Sequence, residues 1–191
     1  MGRWEPNAAG RLREAALELF EQRGFEQTTV AEIAARAGLT ERTFFRHFTD
    51  KREVLFRGSE ELRDTLVAAI DEAPAAAPAL EAVIAALDAA GSVFVRDLAR
   101  RRRAVILANP ELQERELTKL ASLTEALAGA LRHRGIPDPV AGLAAETGIA
   151  VFRITFERWV TDHAERAWAE HLRDALTELG ELVLGASTPT A

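Results

Sequence analysis

Apolar residues recur along this chain at the spacing of an α-helix, and no segment alternates for long in the manner of a strand. In the first stretch, Leu12, Ala15, Ala16, Leu19 and Phe20 stand at i, i+3, i+4, i+7 and i+8. The pattern predicts an all-α fold of about nine helices. We place them at about 7–23, 29–37, 40–48, 50–71, 79–97, 101–108, 110–134, 139–161 and 162–184.

Capping signals support several of these boundaries. Thr29 and Glu32 have the spacing of a capping box, and the same spacing recurs at Asp50 with Glu53 and at Asp162 with Glu165. Gly24 and Gly38 end the first two helices. The clearest break in composition is APAAAP, at 73–78. The chain therefore divides into three small helices followed by a longer helical bundle.

The third predicted helix separates its rings from its charges. On a helical wheel, Phe44, Phe45 and Phe48 fall within one third of the circle. The other side carries Arg42, Thr43, Arg46 and His47. Two helices joined by a tight glycine turn, with such a face on the second, match a DNA-binding helix-turn-helix. A charged face is also what any amphipathic surface helix presents, so the pattern alone leaves both interpretations open.

Charge is distributed unevenly. The net charge of the 191 residues is −6, but residues 36–57 hold six basic and three acidic side chains. A local positive region of this kind suits phosphate, while the remaining acidic surface keeps the chain soluble.

Composition argues against an enzyme and against a membrane protein. There is no Cys and no Tyr, and the motifs of nucleotide-binding loops, hydrolases and zinc proteases are missing. The four histidines, at 47, 133, 163 and 171, do not have a metal-ligand spacing. We predict no cofactor and no metal. Without a signal core or an apolar run near 20 residues, the expected location is the cytoplasm.

The segment AALELFEQRGFEQTTVAEIAARAGLTERTFFRHFTDKREVL, residues 15–55, resembles the N-terminal domain of TetR-family transcriptional regulators. The resemblance implies a DNA-binding domain over 1–50, with the opening of the fourth helix contributing to about 57. It implies a ligand-binding and dimerisation domain over 51–191. It further implies a homodimeric regulator, most commonly a repressor, which binds a pseudo-palindromic operator and is released by a small-molecule effector.

The resemblance also assigns roles to residues of the helix-turn-helix. Thr29 would contact a phosphate, and Thr40, Arg42 and Thr43 would enter the major groove, where Arg42 suits the O6/N7 edge of guanine. Phosphate ligands would be Arg46, His47 and Lys51. The family commonly has Tyr where this chain has Phe45. We therefore expect Phe45 to belong to the core, with a thymine methyl or a sugar as its alternative partner.

The last two long helices carry apolar stripes that the resemblance assigns to a dimer interface. The residues are Leu143, Thr147, Ala150, Val151, Ile154, Trp168, Leu172, Ala175, Leu176, Leu179, Leu182 and Val183. Candidates for a ligand pocket in the bundle are Phe94, Leu98, Ile106, Leu117, Leu120, Phe152, Phe156 and Trp159. Each stripe and each pocket candidate also suits an ordinary core.

Two basic features have no role in this scheme. Arg100 to Arg103 are predicted at a helix junction, as solvated charge or as an anion site, and the N-terminal arm carries Arg3 and Trp4. The arm suits either a minor-groove contact or a flexible tail. The alternative function is a helical interaction module, or a small-molecule-binding protein, without DNA readout.

Overall fold

The structure is a computed structural model that describes residues 7–185, and within this range it contains ten helices and no strand. They are α1 (Ala8–Arg23), α2 (Val30–Arg36), α3 (Glu41–His47), α4 (Glu53–Phe56), α5 (Gly58–Glu72), α6 (Ala79–Ala90), α7 (Arg96–Leu107), α8 (Pro110–His133), α9 (Asp138–Thr161) and α10 (Trp168–Gly185). The all-α prediction is confirmed. Only Arg57 separates α4 from α5, and its backbone is helical, so the two correspond to the single predicted fourth helix. The arm with Arg3 and Trp4 lies outside the described residues.

The beginning of α7 differs from the prediction, and this relocates the four arginines. Helix α6 ends at Ala90 and is followed by Gly91. A Cβ at Gly91 would lie 2.6 Å from Cδ1 of Trp168, so the glycine leaves room for that indole ring. Helix α7 then starts at Arg96, five residues earlier than expected. Arg100 to Arg103 therefore lie inside α7 and not at a helix junction.

The predicted capping box at Asp162 is wrong. Asp162 accepts hydrogen bonds from the amides of Ala164 (2.8 Å) and Arg166 (2.9 Å), which stabilises a loop. The last helix begins only at Trp168, where Glu170 accepts from the amide of Ala167 (2.8 Å). Glu165, the expected partner of Asp162, has a positive φ of 56° instead. A side chain that bonds two local amides in a loop offers the backbone an alternative to the helix.

The chain forms two compact units. The first comprises the chain up to Ser59 together with Asp97–Thr118. Its core combines α1 to α4 with Val105, Ile106 and Leu112 from α7 and α8. The first unit is thus larger than the predicted domain 1–50, because a segment of distant sequence completes its core.

The second unit comprises Glu60–Arg96 and the chain from Lys119 onward, and α9 packs there against both α6 and α10. Gly148 allows the approach of α9 to α6, since a Cβ at this position would lie 2.3 Å from Cγ1 of Val83. The indole of Trp168 donates to the carbonyl of Leu87 over 2.8 Å. Arg134 donates to the carbonyls of Ala73 and Pro74 (both 2.7 Å), and so holds the loop that follows α5.

Helix α9 is the one described helix that is long and apolar enough to cross a membrane by length and composition. A central helix of a globular core meets the same criterion. The packing of α9 against α6 and α10 explains its apolar character, because several of its faces are buried.

We expect Gly148→Ala to destabilise the protein by about 1–3 kcal/mol, because the added methyl group overpacks the contact with Val83. The control is Gly142→Ala on the same helix, where an added Cβ meets no atom within 4 Å. That change should stabilise by about 0.5–1 kcal/mol through helix propensity. Thermal unfolding of both variants measures the difference, and equal effects would contradict the close approach.

Candidate nucleic-acid interface

The turn between α2 and α3 is built from local signals. Thr29 caps α2, its hydroxyl accepting from the Glu32 amide (3.2 Å) and donating to the Glu32 carboxylate (2.9 Å). The same carboxylate accepts from the Thr29 amide (2.9 Å), so the capping box is confirmed. These bonds, led by the one from the Thr29 backbone, lower the pKa of Glu32. Gly38, with φ 65°, then turns the chain into α3.

Two phenylalanines anchor α3. Phe44 is 0% exposed and Phe48 5% exposed, and both lie in the core of the first unit. Phe45 is different, because 56% of it is exposed. Its ring makes an edge-on contact with the ring of Phe44, with the centroids 5.5 Å apart. The expectation that Phe45 belongs to the core is therefore wrong. A residue one position from Phe44 is rotated by about 100° around the helix, which turns its ring toward solvent.

The face of α3 opposite the anchors carries hydrogen-bond donors. Arg42 and Arg46 are exposed and form no ion pair with any residue that the structure describes. Thr40 caps the helix by accepting from the Thr43 amide (3.2 Å), and the two hydroxyls lie 3.0 Å apart. The arrangement leaves two guanidinium groups free beside a pair of hydroxyls.

Lys51 does not present its charge to this face. Its Nζ donates to the carbonyls of Phe25 (2.8 Å), Glu26 (3.2 Å) and Thr28 (3.2 Å), and it lies 4.3 Å from the centroid of the Phe25 ring. An ammonium group has three donors, and all three are used. The structure thus gives Lys51 a part in holding the loop between α1 and α2, where the sequence assigned it to phosphate.

His47 has a partly buried ring whose Nε2 finds no hydrogen-bond partner among the described residues. Burial lowers the pKa of His47 below its usual 6.5, and the nearby charges of Arg46 and Arg57 act in the same direction. Arg57 itself is exposed and lies over the ring of Phe48, 5.8 Å from its centroid. The motif ends before Arg57, so only the excess of positive charge over residues 36–57 pointed to it.

The predicted pocket residues fall into two groups. In the second unit, Phe94 contacts the rings of Phe152, Phe156, Trp159 and Trp168, with centroids 5.3–6.1 Å apart. Leu120 belongs to the same unit. The other three candidates, Leu98, Ile106 and Leu117, belong to the first unit. Ile106 is part of the core of that unit, and Leu98 is half-buried against the core. The structure therefore brings together the four aromatic residues predicted for the ligand pocket, but it does not bring together all eight predicted pocket residues.

One buried hydroxyl lies on α9, the helix that carries Phe152, Phe156 and Trp159. Thr155 is 0% exposed, and its Oγ1 has no partner among the residues described. On the same helix, Thr147 and Thr161 each donate to the carbonyl four residues earlier (2.8 Å). A buried hydroxyl without a partner costs free energy, and this sets Thr155 apart.

The predicted dimer stripe is also divided. Val151, Trp168, Leu172 and Ala175 are buried within the chain itself. The remaining residues are exposed or half-buried: Leu143, Thr147, Ala150 and Ile154 on α9, and Leu176, Leu179, Leu182 and Val183 on α10. On α9, Val140 extends this set, and the spacing of three and four residues places its members on one face. Leu143 is 71% exposed and Leu182 73%, so the chain alone leaves an apolar face uncovered.

Helix α3 is packed onto the core by Phe44 and Phe48, follows a tight turn at Gly38 and exposes a face with two unpaired arginines. These features define a helix-turn-helix DNA-binding protein. Residues 12–57 match the family described as bacterial regulatory proteins, tetR family. The chain is 27% identical, over 86% of its length and 85% of the relative's, to a Mycobacterium tuberculosis protein named for transcriptional regulation of mycofactocin biosynthesis, MftR.

Solved structures show the same fold. A transcriptional regulator from Pseudomonas aeruginosa PAO1 has a TM-score of 0.65 at 21% identity, over 96% of this chain and 94% of that one. FadR from Thermus thermophilus, a TetR-family repressor in complex with lauroyl-CoA, has a TM-score of 0.54 at 25% identity, over 96% and 97%. The family match and these relatives together support a TetR-family transcriptional regulator, a class of DNA-binding proteins that are not enzymes.

We expect Lys51→Met to lower the free energy of unfolding by about 1–3 kcal/mol, because it removes the ammonium donor that the carbonyls of Phe25, Glu26 and Thr28 share. Arg46→Met is the matched control. It removes an exposed cation without an ion pair and should stay within about 0.5 kcal/mol of the unchanged protein. Urea denaturation measures both variants. Equal stability of the two would return Lys51 to the role of a free phosphate ligand.

Proposed function

We propose that this regulator is a homodimeric repressor that binds a pseudo-palindromic operator through α3 and is released by a small-molecule effector. The observation that supports it most directly is the free cationic face of α3. Arg42 and Arg46 stand there without ion pairs, on a helix whose other side is fixed by Phe44 and Phe48. Surface arginines left unpaired beside an anchored helix suit the edges of bases and the phosphates that flank them.

The roles on α3 follow from exposure. Arg42 would read guanine in the major groove together with Thr40 and Thr43. Phe45, with its exposed ring and no hydroxyl, would contact a thymine methyl or a sugar. Arg46 would bind phosphate.

Further phosphate contacts would come from residues around α3. Arg57 and His47 lie near its end, and a phosphate beside His47 would offset the two cations that lower the pKa of its ring. Thr29 would act through the amides of the first turn of α2, because its hydroxyl is used in the capping box.

A second copy of the chain would cover the apolar face of α9 and α10. Dimerisation would pair two reading helices, and two half-sites about one DNA turn or a multiple of it apart would then be bound together. In this proposal the first unit, which includes Asp97–Thr118, is the DNA-binding domain, and the second carries dimerisation and the effector.

The effector would be largely apolar and would bind among the rings around Phe94. The lauroyl chain of the lauroyl-CoA bound to T. thermophilus FadR, a protein of the same fold, supports an effector with a long apolar part. The unsatisfied hydroxyl of Thr155 favours an effector with one hydrogen-bonding group near its apolar part. The function as a whole places the protein in the cytoplasm, where its operator lies.

Binding to DNA fragments from either side of its own gene tests the readout. In fluorescence anisotropy, the protein should bind one fragment with an affinity that falls steeply with salt, since phosphate contacts release counterions. Arg42→Ala should lose about 1–3 kcal/mol of preference for that fragment over a scrambled one.

The control for that measurement is Arg63→Ala, an equal change in charge on α5 at a residue paired with its neighbour Asp64 (2.8 Å). It should keep the preference. A folded dimer that binds no fragment at low salt would favour an interaction module, or a small-molecule-binding protein without DNA readout.

The apolar face predicts the assembly. Leu143→Glu should weaken dimerisation at least about tenfold in sedimentation velocity at micromolar concentration, because it places a carboxylate in an apolar interface. Leu107→Glu is the control, at an equally apolar residue of the first unit that is 52% exposed. A protein that sediments as a monomer without any substitution would contradict the homodimer.

A further inference from the structure

Arg102 is a cation placed largely inside the first unit. Its guanidinium donates through Nε to the carbonyl of Leu55 (2.8 Å) and through Nη2 to Glu116 (3.0 Å), and it lies 5.0 Å from the centroid of the Phe56 ring. Only 24% of its side chain is exposed. The planar fork of an arginine makes these contacts in two directions at once, which an ammonium group does less well.

The Leu55 carbonyl that Arg102 binds belongs to the core on which α3 packs. Leu55 and Phe56 are 4% and 1% exposed, and they lie in the same core as Phe44 and Phe48. Helix α4 has only four residues, so its carbonyls lie at a helix end, where the regular bonding pattern is incomplete. Arg102 supplies a donor at that end.

Neighbouring ion pairs hold the same corner. Arg101 pairs with Glu14 and Glu21 of α1, the latter at 2.8 Å, and Arg115 pairs with Glu53 of α4 at 2.6 Å. Val105, Ile106 and Leu112 add apolar contacts to the core. Helix α7 and the start of α8 thus brace α1 and α4 by charge as well as by packing.

We propose that Arg102 is a positioning residue for DNA reading. It contacts no DNA, and it fixes α4 and thereby the core on which α3 is seated. The inference rests on the proposed function only in taking α3 as the reading helix. Removal of Arg102 would leave the Leu55 carbonyl unsatisfied and Glu116 without its cation, and α3 and α4 would open locally more often.

Hydrogen exchange of the full-length protein tests the proposal without DNA. In Arg102→Met, amides of residues 40–57 should exchange at least about tenfold faster, while those of α9 and α10 change less than about twofold. Arg102→Lys should give a smaller loss in the same segment. The control is Arg63→Met, the same change at a residue paired only with its neighbour on α5, and it should alter neither segment.

Anisotropy with the preferred fragment and a scrambled duplex provides the second readout. Arg102→Met should lower affinity for the preferred fragment about tenfold more than affinity for the scrambled one, since a loosely held α3 keeps its charge but loses its register. Unchanged exchange over residues 40–57 in both Arg102 variants, or equal acceleration in α9 and α10, would overturn the positioning role. If no fragment is preferred even by the unchanged protein, the proposed function fails, while hydrogen exchange still decides whether Arg102 holds α3 and α4.

Discussion

The burial of Phe44 and Phe48 fixes the orientation of α3 and thereby determines which of its residues face solvent. Both rings are almost fully enclosed, and together they fix the rotation of a helix of only seven residues. So short a helix is marginal by itself, so its stability depends on this packing. Once the two rings are seated, the opposite face must point to solvent, and the residues on it are the ones available to a partner.

Positive charge in this region is mostly committed to the protein. Arg23, Arg36 and Arg52 form ion pairs with carboxylates on α2, on α1 and before α4. Lys51 is used by backbone carbonyls. The cations that remain without an ion pair among the described residues of α3 are Arg42 and Arg46. The excess of charge seen along residues 36–57 is therefore concentrated in space on a smaller surface than the sequence indicated, and that surface is the one proposed to read DNA.

Local patterns predicted most of the fold, and long-range contacts account for the failures. The Thr29 and Glu32 capping box is contained within four residues, so the sequence shows it directly. Lys51 binds carbonyls 23 to 26 residues earlier, and no pattern of spacing reveals such a contact. The same applies to Arg101 of α7, whose partners Glu21 and Glu14 on α1 lie 80 and 87 residues away. The prediction that Phe45 is buried failed for a different reason. Phe45 lies at the edge of the apolar side of α3, where a helical wheel does not distinguish a buried ring from an exposed one.

Connectivity constrains how an effector would act. The chain passes between the two units at residues 59–60, 96–97 and 118–119, and each crossing lies inside a helix, α5, α7 or α8. Phe94, the centre of the aromatic cluster, stands two residues before α7, and Arg96 at the start of α7 donates to the carbonyl of Trp159 (2.9 Å).

An effector that rearranged those rings would therefore act on the first turn of α7. Five and six residues further along, Arg101 and Arg102 of the same helix bind α1 and α4. The effector would release DNA only if it favoured a conformation that fits the operator poorly, by as much free energy as separates the two conformations. Arg101 and Arg102 would contribute to that difference, because each conformation would have to satisfy their charges within the protein. A largely enclosed cation with two acceptors, such as Arg102, would tolerate few arrangements, and this would favour two discrete states over a continuous drift.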